Sequence, residues 1–502
     1  MYNTLSQIIA NESKIKKTEN GATAYNRLNN PVLTLFAQAG ALRPRDEQEI
    51  REMFRQAYAY DSELAIKMVF YIGDIRGGLG ERRTFRICLN ELAKLNPHVV
   101  TANLLNIAHY NRWDSLYELV GTECEKDMWD FMHVQFNLDY IAYEKKEPCS
   151  LLAKWMKSVN ASSEETRKLG RMTMKELAFS GEKSYRKTLA RLRKYLDVVE
   201  TKMSENDWQN IKYAQVPSYA MKNYRNAFFK HDVDGFAKYI EEVKSGQSKI
   251  KASTLFPYDL AKVYTDACGG DYGQPNYRIL EDAVIEEQWK ALPNYLKDDN
   301  TNVMCMVDVS GSMFGRPIAS SIGLGIYFAQ HNHGAFHNQF MTFSQNPHFI
   351  TIEEGASLCS IVKDVYGKDP GFSTNLEAAF RCLLRAAVAH DIPQEDMPKA
   401  LIILSDNEIN QYKNQRSVDF MASMRQQYEA RGYQLPKLIF FQVEARQSTF
   451  LTLSNDALFI SGQSAAAFKQ VIDNIEGTSW DLVLNTLNSE RYAQVITHSN
   501  KE

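Results

Sequence analysis

The sequence predicts a multidomain chain in two parts, an all-α helical array to about residue 300 followed by an α/β domain on a mostly parallel sheet. Three observations predict it. Before residue 300, apolar residues recur at three- and four-residue steps with little β-type alternation. After it, short apolar runs such as Val303–Val307, Ala400–Leu404 and Lys437–Val443 alternate with helical stretches, the order that gives a parallel sheet covered on both faces. The first two of these runs end in oxygen-bearing side chains, at the strand tips where open sheets of this kind hold ligands.

Residues 1–45 read as an N-terminal arm, with basic Lys14-Ile15-Lys16-Lys17 and with Pro31–Phe36 as the first packable stretch. A helical domain is expected over 46–300. Ile50, Phe54, Ala57 and Tyr58, then Leu64, Met68 and Tyr71, keep helical spacing until Gly77-Gly78-Leu79-Gly80 breaks the run. Further helices are expected over Thr84–Lys94, Val99–Tyr110, Lys126–Tyr143, Leu151–Val159, Thr166–Phe179, Ser184–Val199 and Ser218–Val243. Many helices with short connections suggest a HEAT-like helical repeat, either a ring or a solenoid. Residues 245–300 belong either to this array or to a connector, and polar Lys297-Asp298-Asp299-Asn300-Thr301 marks the boundary.

Charge is concentrated in one piece of the array. Between Thr166 and Lys194 ten Lys or Arg face two Glu, a net +8 in a chain that totals −3. On a helix, Lys183, Lys187, Arg191 and Lys194 form one stripe, with Tyr185, Leu189, Leu192 and Leu196 on the opposite side. Such a stripe either meets phosphates, with strongly salt-dependent affinity, or is a solvated face whose charges pair with nearby acids. Arg167, Arg171, Arg186, Arg76, Arg82, Arg83 and Arg86 are further candidate phosphate contacts. The glycine-rich turn at Asp74–Arg83 lacks Gly-Lys-Ser/Thr and a preceding strand, so it is no nucleotide loop. Trp113 is either a base-stacking platform or core.

The α/β domain is expected over 301–490, with a tail at 491–502. Helices are expected at Ile318–Gln330, from Leu376, at Ser417–Arg431 and at Ser464–Ile475, and further strands at Gln339–Phe343 and Leu458–Ser461. Asp308, Ser310 and Ser312 alternate with Val309 and Gly311, so one loop turns a carboxylate and two hydroxyls to one point. Thr374, before a helix, and Asp406, at another strand tip, add a hydroxyl and a carboxylate. Two carboxylates, three hydroxyls and water suit Mg2+. His331, His333 and His337 read as surface or cap residues, since they have neither cysteines nor an H-E-x-x-H frame beside them.

The pattern Asp308-x-Ser310-x-Ser312, distant Thr374, distant Asp406 resembles the metal-ion-dependent adhesion site of von Willebrand factor A domains, which have a Rossmann-like fold. The resemblance implies that the two Ser and the Thr coordinate the metal directly or nearly so, and that the Asp residues act largely through water. Over roughly residues 20–490 the chain resembles the Ro (TROVE) ribonucleoproteins. The residues that carry this are Gly21-Ala22-Thr23-Ala24-Tyr25, Asp74-Ile75-Arg76-Gly77-Gly78, Arg112-Trp113-Asp114 and Ser405-Asp406-Asn407-Glu408. It is closer still to a set of Ro-like proteins, through Ala153-Lys154-Trp155, Tyr185-Arg186-Lys187 and Val216-Pro217-Ser218. What this implies is a ring of HEAT-like helices braced by the A domain, binding small noncoding or misfolded RNA on its basic outer surface and through its central hole.

Composition bounds the rest. With 502 residues, 44% hydrophobic and 24% charged, the chain is long enough for two or three soluble domains. Seven cysteines (Cys88, Cys124, Cys149, Cys268, Cys305, Cys359, Cys382) without a C-x-x-C pair favour reduced thiols and a cytoplasmic location. Neither a signal peptide nor a run of about 18 apolar residues is visible, so no membrane partner is expected. The absence of a nucleophile elbow, a cofactor loop or a paired catalytic carboxylate motif argues against an enzyme. Two functions remain: an RNA-binding scaffold, and an adaptor in which a protein partner's Asp or Glu completes the Mg2+ shell.

Overall fold

In the computed structural model, which describes residues 15–17, 23–25, 30–269, 279–295, 302–344, 346–366, 375–406, 417–445, 450–451 and 457–498, the polypeptide returns to its own beginning. Strands β1 (Ile15–Lys17) and β2 (Thr23–Tyr25) pair antiparallel. Asn30 then starts α1 (Pro31–Gln38), its side chain accepting from the amides of Val32 and Leu33, with Pro31 in the first turn. This part of the expected arm is core: Val32, Leu35 and Phe36 are at most 1% exposed.

Helices α2 (Glu47–Tyr60) and α3 (Ser62–Gly73) are capped by Asp46 and Asp61 and share a buried face with α4 (Arg82–Leu95). The stretch expected as one helix at 99–110 is two, α5 (Pro97–Ala102) and α6 (Leu104–Tyr110). Asn103 breaks it, because its side chain bonds the Ile496 backbone at both N–H and carbonyl. Then follow α7 (Glu125–Lys145), α8 (Leu152–Trp155), α9 (Glu164–Glu176), α10 (Glu182–Tyr195), α11 (Val199–Ser204), α12 (Ser218–His231) and α13 (Val233–Lys244). The last two are split at Asp232, which caps Gly235 and accepts from the Tyr213 hydroxyl.

Residues 245–300 supply α14 (Pro257–Cys268) and α15 (Ala283–Lys290), which join the helical part to the α/β part. Buried Glu286 accepts from the amides of Leu358 and Cys359, satisfying donors at the start of a helix on the far side of that junction. Trp289 donates to Gln330 at 2.9 Å.

The α/β part runs β3 (Val303–Val307), α16 (Arg316–His331), β4 (Gln339–Thr342), β5 (Phe349–Thr351), α17 (Leu358–Tyr366), α18 (Leu376–Ala389), β6 (Ala400–Ser405), α19 (Ser417–Glu429), β7 (Lys437–Gln442), β8 (Phe450–Leu451), β9 (Leu458–Ser461), α20 (Ala465–Asp473) and α21 (Ser479–Leu487). Six strands form a mixed sheet in the order β5-β4-β3-β6-β7-β9, with only the β4–β5 pair antiparallel. Central β3 and β6 are buried throughout, as their continuous apolar runs require. β8 leaves this sheet to pair with β2.

Both ends of the helical part meet this sheet domain. α14 packs on α16 and α17, and α1 packs on β9 and α21. Gly40 lies so close to β9 that an added Cβ would stand 2.4 Å from the Ser461 carbonyl. The expected tail is also core in part: Tyr492 is fully buried, and its neighbour Arg491 pairs with Asp74. Tail and arm alike are covered because each supplies apolar side chains to the junction between the two parts. No described helix is long and apolar enough to cross a membrane.

Candidate metal centre and basic cavity

Adjacent parallel strands bring the two expected carboxylates together. β3 and β6 pair through Val307 and Leu404, so Asp308, just past β3, stands beside Ser405 at the end of β6, with Asp406 next in the chain. The Asp308 amide donates to the Leu404 carbonyl at 3.1 Å and to Ser321 Oγ at 3.0 Å. The Ser405 hydroxyl donates to Asp308 Oδ2 at 2.5 Å, and the Ser310 amide donates to Asp308 Oδ1 at 2.9 Å. Ser310 and Ser312 turn their hydroxyls to within 3.2 Å of each other. Gly315, at φ +88°, then reverses the chain into α16, a backbone state that favours glycine.

Asp308 is 1% and Asp406 2% exposed. Burial, and then the charge of Asp406, push the Asp308 carboxyl up to about 6. Two acids so placed are costly as anions unless a cation lies between or beside them. Among the described residues no group of three or more His, Cys, Asp or Glu gathers as a metal site. The donors here are two carboxylates and small hydroxyls, an all-oxygen set that fits a hard divalent ion better than zinc. Thr374 lies outside the described residues; Asn375, which follows it, donates its amide to the Ser344 carbonyl just beyond β4. Ser405 and Ser321 are additions to the expected set, and only the position of Ser405 beside Asp406 hinted at either. His331 and His337 each place Nδ1 on a backbone carbonyl, at Tyr327 and Asn332.

The basic residues divide into two groups. On α10, Lys183, Lys187, Arg191 and Lys194 are exposed, while Tyr185, Leu189 and Leu192 are buried. Lys194 pairs with Glu205 and Arg171 with Glu182, both at 3.3 Å, whereas Lys183, Lys187, Arg186 and Arg191 meet no acid among the described residues. Arg167 spends its guanidinium on the carbonyls of Ala161 and Ser162, and Arg83 on those of Arg43 and Arg45.

Arg82 and Arg186 instead line an open cavity of about 1260 Å³ whose wall draws on residues between Ile75 and Phe256. Its wall carries Arg76, Arg82, Arg112, Lys154, Lys157, Arg186 and Arg193 against Glu200 and Glu205. Two half-buried indoles share this wall: Trp113, which stacks on Phe131 of the core at 6.0 Å, and Trp155, whose ring lies 4.1 Å under the Arg112 guanidinium. Sequence reasoning placed no phosphate contact at Arg112, Lys154 or Lys157. Arg112-Trp113-Asp114 stood out for base stacking on Trp113 and as a family signature, and Ala153-Lys154-Trp155 as a family signature alone.

A family model described as a domain of unknown function (DUF2828) matches residues 18–183 and 149–301, and a second (DUF7788), also of unknown function, matches residues 302–498. The chain is also similar to "Uncharacterized protein L728" of Acanthamoeba polyphaga mimivirus, at 26% identity over 94% of this chain and 86% of the viral one.

Proposed function

The chain belongs to the family defined by the domain of unknown function DUF2828, and from that premise we propose that it is a non-catalytic RNA-binding scaffold of Ro type. In this reading the helices are a HEAT-like repeat closed by a von Willebrand factor A-type domain. RNA contacts the α10 stripe and enters the cavity, and the setting is cytoplasmic. The observation that carries it is the cavity wall, where seven Lys and Arg face two Glu beside the half-buried indoles of Trp113 and Trp155. Cations that track a phosphate backbone, together with flat rings that accept any base, are the two components of sequence-tolerant single-strand binding. The exposed face of α10, unpaired at Lys187 and Arg191 among the described residues, adds a second phosphate-facing surface.

The test is an RNA shift assay across a salt series with wild type and Lys187→Glu/Arg191→Glu. Affinity that falls with salt and drops at least tenfold in the double variant supports the reading. Binding no better than that of a charge-matched control protein overturns it.

A second reading rests on the paired buried acids. Asp308, Ser310, Ser312 and Asp406 would hold Mg2+, whose remaining charge attracts a partner's carboxylate, making the chain a metal-dependent protein adaptor. A pull-down that survives both EDTA and Asp308→Ala removes this reading.

A further inference from the structure

Asp114, 5% exposed, sits behind the cavity wall and gathers more cations than it can neutralise. Arg112 clasps it with two bonds, at 2.8 and 2.6 Å, the Arg86 guanidinium reaches it at 3.3 Å, and Lys157 Nζ lies 3.7 Å away. A fourth cation, Arg82, stands on the partition between the 1260 Å³ cavity and a second one of about 790 Å³; it lines both. Among the described residues nothing accepts a hydrogen bond from Arg82. Its side chain is exposed along part of its length, and partial desolvation and then the Arg112 charge pull its basicity down, while Asp114 raises it and Arg86 lowers it further. The second acid within reach is Glu118, 3.3 Å from Arg86. Four cations against two carboxylates leave an excess of two positive charges about the partition, with Arg86 on the side of the smaller cavity, Arg112 and Lys157 on the side of the larger, and Arg82 on both.

We infer that Arg82, Arg86, Arg112 and Lys157 form a recognition site for a phosphomonoester dianion, with Asp114 as the buried positioning residue. A group of charge −2 balances this excess, whereas an internal phosphodiester supplies only −1. Guanidinium groups present paired donors that suit a phosphate with three terminal oxygens. Trp155, under Arg112, holds that fork in plane and offers its edge to the attached nucleoside. The ligand is either the phosphorylated end of an RNA or a free mononucleotide. The first source rests on the RNA-binding reading above, and the second does not.

The test is fluorescence anisotropy on the full chain, with one single-stranded RNA of about ten nucleotides bearing a 5′-phosphate, a 3′-phosphate or hydroxyls at both ends, and with AMP and inorganic phosphate as competitors. One phosphorylated form should bind about tenfold tighter than the hydroxyl form, the worth of a charge-assisted contact. Arg82→Gln, at an exposed position, should remove that preference with an unchanged melting temperature, while Lys183→Gln weakens all three oligonucleotides alike. AMP that displaces the probe, or that binds when no oligonucleotide does, keeps the site and assigns it to mononucleotides; in the latter case the RNA reading fails alone. Equal binding of the three ends with no displacement by AMP overturns the site and leaves RNA binding standing. Binding of none of these probes overturns both.

Discussion

Asp74 and Arg491, 417 positions apart, clasp each other at the junction of the helical and sheet parts: both carboxylate oxygens accept from the guanidinium, and the Tyr492 hydroxyl adds a bond at 3.1 Å. Asp74 also organises the glycine-rich turn, accepting the Arg76 amide on its side chain and the Gly78 and Gly80 amides on its carbonyl. The turn is thus a socket for the returning C-terminal segment.

Arg491→Ala should therefore destabilise the whole chain. Asp74 is 1% exposed and would keep an uncompensated charge, while Arg491 at 36% is partly solvated, which places the loss at about 2–3 kcal/mol rather than the larger cost of a fully buried pair. Urea unfolding measures it. A midpoint within error of wild type would show that the clasp contributes nothing.

Gly40→Ala tests the other closure. The added Cβ would lie 2.4 Å from the Ser461 carbonyl and 2.5 Å from Gly462 Cα, backbone atoms that cannot move without separating α1 from β9. A loss of about 1–3 kcal/mol is expected. The Gly40 amide bond to Ser461 Oγ at 2.9 Å should open with it, seen as faster hydrogen exchange at that amide. Slow exchange and wild-type stability together would count against a tight junction there.

Elements whose burial is local were legible in the sequence, and contacts between distant segments were not. β3, β6 and β7 announce themselves as apolar runs because each is covered on both faces. β5 escaped notice: it is a three-residue edge strand with only Ile350 buried. Helical periodicity continues through Asn103 and Asp232, so neither break was visible; both depend on partners elsewhere, Ile496 and Tyr213. The meeting of Asp308 with the tip of β6 was expected from their places at the ends of apolar strands and from the resemblance to the A-domain metal site, and β3 and β6 are neighbours in the sheet. The cavity wall was not expected, since Arg82, Arg112, Lys157 and Arg186 converge only once the helices curve.

Mg2+ should stabilise the wild-type chain through the loop after β3. At about a hundred times its Kd a ligand that binds only the folded state contributes about 2.7 kcal/mol, enough for a clear thermal shift that EDTA reverses. Asp308→Ala and Asp406→Ala should each abolish the Mg2+-dependent shift, because both buried carboxylates stand at the same strand edge. A full shift retained in either variant would remove that residue from the site.

The pH dependence of the metal-free chain should carry the signature of Asp308. Its carboxyl is pushed from 3.8 up to about 6 by burial and by Asp406, so between those values the folded chain holds a proton that the unfolded chain has released. This group's stabilising contribution is then fully present below about pH 4 and is lost as pH rises through about 6. In EDTA, wild type should therefore gain stability relative to Asp308→Asn on acidification from about pH 7 to about pH 5, whatever the other carboxylates do in both proteins. Mg2+ reverses the trend, since a coordinating carboxylate must be ionised, and the stabilisation by metal should fade below about pH 6. Urea midpoints for the two proteins at three pH values, with EDTA and with Mg2+, decide it: parallel curves in EDTA would mean that Asp308 titrates as an ordinary surface acid, and the case for a cation beside it would lose its electrostatic basis.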